Sequence, residues 1–205
     1  ENIINFENVH VNYDIDSSTL RNINLKIKNN ENWAILGANG SGKSTLIKLF
    51  SNDLYPTTKY PFKKEIFGEE NWNIFELKKN LGIITNDLHN TFGSQGKYIT
   101  AYEVILSGFY SSIQIFNHQD FTKEQHQKVL EVLEFLEILE LKDKKVHQMS
   151  TGQLRRCIIG RALIHDPKAF ILDEPTVGLD IKSQHSFIKL IQKLSKSASI
   201  IIVTH

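Results

Sequence analysis

The segment Gly37-Ala38-Asn39-Gly40-Ser41-Gly42-Lys43-Ser44-Thr45 fits the pattern G-x-x-x-x-G-K-[ST]. Glycines at these positions let the backbone curl until successive N–H groups point into one concavity, which suits phosphate oxygens. A helix starting at Lys43 would aim its positive end at the same place. In such a loop Lys43 reaches β- and γ-phosphates and the Ser44 hydroxyl ligates Mg²⁺. A second group is Phe170-Ile171-Leu172-Asp173-Glu174, an apolar run ending in two carboxylates. Asp173 is the candidate to hold Mg²⁺, directly or through water, and Glu174 the candidate base for an attacking water. Alone, an apolar run before Asp-Glu is as readily a solvated strand end; its place downstream of a phosphate loop gives it chemical meaning.

These groups need strands and helices to position them. Trp33-Ala34-Ile35-Leu36 reads as a short apolar strand before the glycine loop, and Lys43 to Phe50 as a helix burying Leu46, Ile47, Leu49 and Phe50. Upstream, Ile3 to Phe6, Val9 to Tyr13 and Ile23 to Ile27 are β-like. Residues 53–97 read as strand runs at Lys64 to Phe67 and Leu81 to Ile84 among loops, including a turn Gly93-Ser94-Gln95-Gly96. From Thr100 to about Val146 the pattern is mostly helical. Thr122 to Gln125 forms a capping-box start, and Val129, Val132, Leu133, Leu136 and Leu139 form a core stripe. Ser150 to His165 reads as a helix, Ala169 to Leu172 as a buried strand, 182–196 as a helix and Ser199 to Thr204 as a last strand. Placing Asp173 and Glu174 at a strand's C-terminal edge puts them where parallel α/β sheets bind ligands.

Bulk properties narrow the class. A chain of 205 residues, 40% hydrophobic and 23% charged, suits one globular domain. A formal net charge of +1 gives no field to draw in nucleic acid or an anionic membrane. No apolar run approaches the roughly 20 residues of a membrane span, and no signal peptide is visible. The single cysteine, Cys157, excludes an internal disulfide and sits among apolar neighbours as a small buried residue. These features together predict a cytoplasmic protein. Opening on Glu1 and stopping at His205 directly after a strand predicts a piece of a longer polypeptide.

A phosphate loop alone does not choose among nucleotide-binding families. The guanine-reading N-K-x-D pattern is absent, which argues against a Ras-like GTPase. Met149-Ser150-Thr151-Gly152-Gln153-Leu154-Arg155-Arg156 resembles the L-S-G-G-Q signature of the ABC (ATP-binding cassette) family, with Met149 for Leu and Thr151 for the first Gly. The resemblance covers nearly the whole chain. It implies a P-loop α/β fold with a mostly parallel sheet, an antiparallel N-terminal β subdomain and an inserted helical subdomain. The nucleotide-binding core would be about residues 1–86 and 150–205, with the helical subdomain at about 87–149. The resemblance also implies ATP and Mg²⁺ as cofactors and hydrolysis to ADP and phosphate. Ser150, Gly152 and Gln153 would contact the γ-phosphate held by a second module, either a homodimer partner or a tandem domain. Pro175 to Asp180 looks like the D-loop, with Asp180 reaching across the dimer. His205 looks like the switch histidine, and Tyr13 stands where an aromatic stacks on adenine.

One departure stands out. Family members that drive transport carry a Gln after an I-G-x-V-x run, which ligates Mg²⁺ and couples to membrane subunits. Here Leu81-Gly82-Ile83-Ile84-Thr85 is followed by Asn86, one methylene shorter. Gln95, in its glycine-flanked segment, is a weaker substitute. The stretch Val104 to Ile113 is similar to a subgroup of soluble ABC proteins labelled as molybdate-transport or photorepair ATP-binding proteins. Two functions stay open: an energising subunit that docks on transmembrane transporter subunits, peripheral at the inner face of the cell membrane, or a soluble ATPase remodelling a cytosolic partner.

Overall fold

The computed structural model describes residues 1–14, 17–113, 115 and 120–205, with backbone alone at 13, 14 and 17–19. Strands β1 (Asn2–Asp14) and β2 (Ser17–Lys28) pair antiparallel. The two short stretches expected before residue 14 are one strand broken by bulges. The register shifts between Phe6 and Val9, where Asn8 takes a left-handed φ of 51°. Next come β3 (Trp33–Leu36), helix α1 (Lys43–Phe50) and β4 (Lys63–Ile66), which pairs with the other edge of β1. β4 stops one residue short of the expected Phe67, whose φ of 50° turns the chain out of the strand.

Helix α2 (Ile74–Asn80), strand β5 (Leu81–Ile84) and helix α3 (Asn86–Gln95) follow. Neither helix was expected. Both are short and weakly periodic, and their start signals are caps: Asn73 accepts from Phe75 N and Thr85 accepts from Leu88 N. The expected turn at 93–96 instead continues α3 through Gln95. Helix α4 (Ala101–Leu106) runs into a 3-10 turn at Ser107–Tyr110, and α5 (Lys123–Phe135) begins with the capping box of Thr122 and Gln125. The apolar stripe holds through Leu136 and then fails at Leu139, which is 40% exposed. Glu137 adopts φ 58°, ending the helical period and taking Leu139 off the face.

Helix α6 (Thr151–Leu163), strand β6 (Ala169–Asp173), helix α7 (Ile181–Leu194) and strand β7 (Ser199–Thr204) complete the chain. A parallel sheet runs in the order β3-β7-β6-β5. Alternation along β6 assigns its two faces. Phe170 and Leu172 pack with α4, α5, α6 and α7, whereas Ala169 and Ile171 pack with α1 and the antiparallel sheet. The fold is therefore an α/β core with a mostly parallel sheet, an antiparallel N-terminal sheet and a helical block. β3 is apolar yet not buried: among the described residues it pairs only with β7, leaving Leu36 71% exposed. Cys157 is fully buried, and burial pushes its thiol up to about 12.

Candidate nucleotide site

The site grows from the loop between β3 and α1. Gly37 N donates to Thr204 O, extending the β3–β7 pairing by one bond before the chain curls. Gly40 and Gly42 have φ of 78° and 97°, a region that side-chain-bearing residues rarely adopt. At Gly37 a Cβ would meet Ser41 Oγ at 2.5 Å, so the curl leaves no room for one. Among the described α-helices, α1 alone starts without a side-chain cap: its N-cap is Gly42. No acidic residue lies in its first turn. Its leading amides and dipole end are thus left for an anion. Lys43 Nζ folds back onto the carbonyls of Gly37 and Ala38, the latter at 3.1 Å.

Asn39, Gly40, Gly42, Lys43, Ser44, Thr45, Asp173 and Glu174 line one cavity of about 370 Å³. That size lies within the usual range for small-ligand sites. Burial and then the neighbouring carboxylates Glu174 and Asp87 push Asp173 above the ordinary carboxylate range. Lys43 works in the opposite direction. A cation placed between these groups would relieve that repulsion. Among the described residues no cluster of three or more His, Cys, Asp or Glu could hold a metal ion by itself. Ser44 and Asp173 fit the sparse protein share of a Mg²⁺ shell whose remaining ligands are phosphate oxygens and water.

Glu174 is held firmly. Thr204 Oγ1 donates to its Oε2 at 2.8 Å, and His205 Nδ1 lies 2.9 Å from its Oε1. Its burial raises the pKa, but the bonds from His205 and Thr204 outweigh burial and hold the carboxyl below its ordinary value. Its backbone sits at φ 47°, a strained conformation for a non-glycine residue at a point where function can require it.

The remaining expected residues lie elsewhere. Ser150 caps α6 in a reciprocal box: its Oγ accepts from Gln153 N at 3.2 Å, and Gln153 Oε1 accepts from Ser150 N at 3.1 Å. Gly152 lies in the first turn of that helix. Asp180 caps α7 through Ser183 N and Oγ, and those bonds hold its carboxyl below the ordinary value. None of Ser150, Gly152, Gln153 or Asp180 lines the cradle cavity. Asn86 opens α3, and its Oδ1 accepts from Arg155 Nη2 at 3.2 Å. Tyr13 lies in β1, but its side chain is outside the described residues.

Two residues escaped the sequence reading. Asp87, next to Asn86, lines a larger cleft with Ser44 and Asp173 and adds its charge to theirs. An acidic residue in the first turn after the Thr85 cap was the available signal. Arg155 lies within the signature-like segment Met149 to Arg156, and no sequence signal pointed to its role.

A strand–glycine loop–helix with an uncapped helix start, facing two carboxylates at a parallel strand's end, defines a P-loop nucleotide-binding domain. The family model described as ABC transporter matches residues 20–177, and the chain belongs to this family of ATP-binding cassettes. The energy-coupling factor transporter ATP-binding protein EcfA3 of Clostridium perfringens is 33% identical over 206 residues, covering 99% of this chain and 69% of that protein. The ABC transporter ATP-binding protein ModF of Escherichia coli is 33% identical over 170 residues, covering 80% of this chain and 33% of its own length. Among solved structures, CbiO1 of Clostridium perfringens, part of the ABC transporter complex CbiONQ, matches with a TM-score of 0.80 at 31% identity. That match covers 100% of this chain and 78% of CbiO1. A dimeric ATP-binding cassette in a post-hydrolysis state bound to ADP and Pi matches with a TM-score of 0.74 at 28% identity, over 98% of this chain and 88% of the other.

Proposed function

We propose that this chain binds MgATP, hydrolyses it to ADP and phosphate as half of a head-to-tail dimer, and thereby energises a membrane transporter. The observation that carries the reading is the gathering of Lys43, Ser44, Asp173 and Glu174 on one cavity, with His205 and Thr204 bonded to Glu174. The amides of Gly37 to Thr45 and the Lys43 ammonium would hold the phosphates, and Ser44 and Asp173 would hold Mg²⁺, with Asn86 a more distant ligand. The ion supplies electrostatic stabilisation of the phosphoryl oxygens when bound. Glu174, kept ionised by its two donors, would take a proton from the attacking water, and His205, with Nδ1 on Glu174, would contact the γ-phosphate through its other ring nitrogen.

Ser150, Gly152, Gln153 and Asp180 would complete the nucleotide of a second module, which their absence from this cavity's lining supports. In this reading about 1–86 and 150–205 form the nucleotide core and about 87–149 the helical subdomain. The likeness to EcfA3 and CbiO1 supports a membrane partner. So does a cleft of about 690 Å³ whose lining includes exposed Phe75 and Tyr110 together with Lys48 and Lys78. Among the described residues no helix is long and apolar enough to cross a membrane; in this reading the chain docks peripherally, at the membrane's inner face, on transmembrane subunits. One observation favours a soluble partner-remodelling ATPase instead: Asn86 stands at the coupling position, and its oxygen is engaged by Arg155.

The test uses the full-length protein. Glu174→Gln is expected to cut MgATP turnover by at least roughly 100-fold, a general base's contribution. It should also leave an ATP-bound dimer that persists through size-exclusion chromatography with light scattering. No turnover in the unmodified protein, or monomers of the variant under saturating MgATP, would overturn the reading. Recovery of membrane-spanning proteins with the unmodified chain, lost on Phe75→Ala with Lys78→Ala, separates transport from the soluble alternative.

A further inference from the structure

Arg155 is 4% exposed and sits just past the first turn of α6. Its Nη1 donates to Pro175 O at 2.7 Å and Val177 O at 3.0 Å, and its Nη2 donates to Asn86 Oδ1 at 3.2 Å. All three acceptors are neutral, and no ion pair among the described residues includes Arg155. Burial lowers its guanidinium from the ordinary arginine value. Its charge reaches α3, where burial first and Arg155 second hold His89 below the usual imidazole range. A buried cation without a carboxylate is a poor device for stability, since a packed aliphatic side chain of similar volume often folds as well or better. What the guanidinium adds is a rigid fork that fixes oxygens from separate segments.

Those segments are the ones that carry chemistry. Pro175 directly follows Glu174, and Val177 precedes Gly178, which turns the chain at φ 78° toward Asp180. Asn86 is joined to Asp87, whose charge acts on Asp173. The helix that carries Arg155 starts at the Ser150 box, and a Cβ on Gly152 would sit 3.5 Å from Leu179 Cδ2, so the helix start rests on the same turn.

We propose that Arg155 is a positioning residue that fixes the turn after Glu174 against Asn86 and against the start of α6. The inference rests on the reading above, in which Glu174 serves the module's own nucleotide while Ser150, Gly152 and Gln153 serve the partner's. Under that reading one side chain ties both half-sites of a module together. It does not line the cradle cavity, so its loss should spare nucleotide capture and impair the step that needs both halves in register.

The experiment compares Arg155→Met and Arg155→Lys in the full-length protein, reading MgATP affinity by calorimetry, kcat, KM, the Hill coefficient for ATP and the thermal midpoint. Arg155→Met should keep MgATP affinity within about twofold while kcat falls at least roughly tenfold and the Hill coefficient drops towards one. Arg155→Lys, which keeps the charge but not the fork, should restore only part of kcat. Asn86→Ala should lower kcat less than Arg155→Met does, and adding it to Arg155→Met should cost little more. Parental kcat in Arg155→Met overturns the proposal. So does a kcat loss matched by lost affinity and a lowered thermal midpoint, which would mark a merely structural residue. If Arg155→Met does not fold, parental kcat in Arg155→Lys overturns it. Absent turnover in the unmodified protein defeats the hydrolysis reading itself, whereas normal turnover in both the unmodified protein and the Arg155 variants defeats only this inference.

Discussion

Helices α1 and α6 both begin at residues that the proposed function sets against phosphate, yet their starts are built in opposite ways. At α1 the cap is Gly42, no side chain satisfies the leading amides, and Lys43 has only loop carbonyls to hold. At α6 the Ser150 hydroxyl accepts from Gln153 N and the Gln153 side-chain oxygen accepts from Ser150 N in a closed box, and Lys144 Nζ donates a third bond to that oxygen. An open start can take an anion at once. A closed start must give up a bond worth about 1 kcal/mol before it can turn to a phosphate. Under the proposed two-module reading, the difference would set an order: the nucleotide would settle on α1 of one module first, and α6 of the second module would engage afterwards, when the phosphate could replace what the box loses.

The sharpest way to break that order is to disable the open start. Lys43→Ala removes the cation that would exchange its loop carbonyls for phosphate oxygens. A hydrogen bond from a charged group contributes about 1.5–3 kcal/mol. ATP affinity should therefore fall roughly 10- to 100-fold by calorimetry. Dimer formation should fail with it, because nothing is left for the second module to engage. If Lys43→Ala dimerised normally with ATP, the two starts would be acting independently.

Ser150→Ala tests the closed start. Losing the cap should lower stability by about 1 kcal/mol, which for a domain of this size is roughly 2–4 °C in thermal midpoint. ATP affinity of the isolated module should stay at the parental value, while ATP-dependent dimerisation weakens by roughly tenfold. A loss of monomer affinity would show that α6 contributes to first capture and would reverse the order.

The contrast also explains what could be read from the chain. The glycine loop, the Asp173-Glu174 strand end and the parallel sheet were legible because local spacing specifies them: fixed glycines, a lysine, and apolar runs of strand length. The two hydrophobic faces of β6 were implicit in Ala169-Phe170-Ile171-Leu172, although which helices covered each face was not. Helices α2 and α3 went unseen because their starts rest on single caps at Asn73 and Thr85 rather than on a long apolar stripe. The bonds from Arg155 to Asn86 and to the Pro175–Val177 turn span separations that no local pattern encodes. The exposure of Leu36 in an apolar strand is likewise a matter of sheet order, not of composition.

The finest adjustment concerns the proposed base, Glu174, which belongs to the α1 half of the comparison. Glu174 lies below the ordinary carboxylate range because the donors His205 and Thr204 outweigh burial. Its ionised form is therefore present down to a lower pH than usual, and at saturating MgATP, with Asp173 already holding the ion, the acid limb of the turnover profile should lie below the ordinary glutamate value. Folding stability follows the same sign: a depressed carboxylate contributes stability above its unfolded pKa, and that contribution is lost as pH falls through the folded value. Thr204→Val deletes one of the donors without touching a residue assigned to phosphate or metal. It should move the acid limb to higher pH, with rates at low pH falling more than rates on the alkaline side. Dimerisation of the Glu174→Gln form, in which position 174 no longer titrates, should then depend less on pH than turnover does. A limb unmoved by Thr204→Val would mean that Glu174 is not the group whose ionisation the turnover profile reports, and the base would have to be sought among its neighbours, with Asp87 the first to examine.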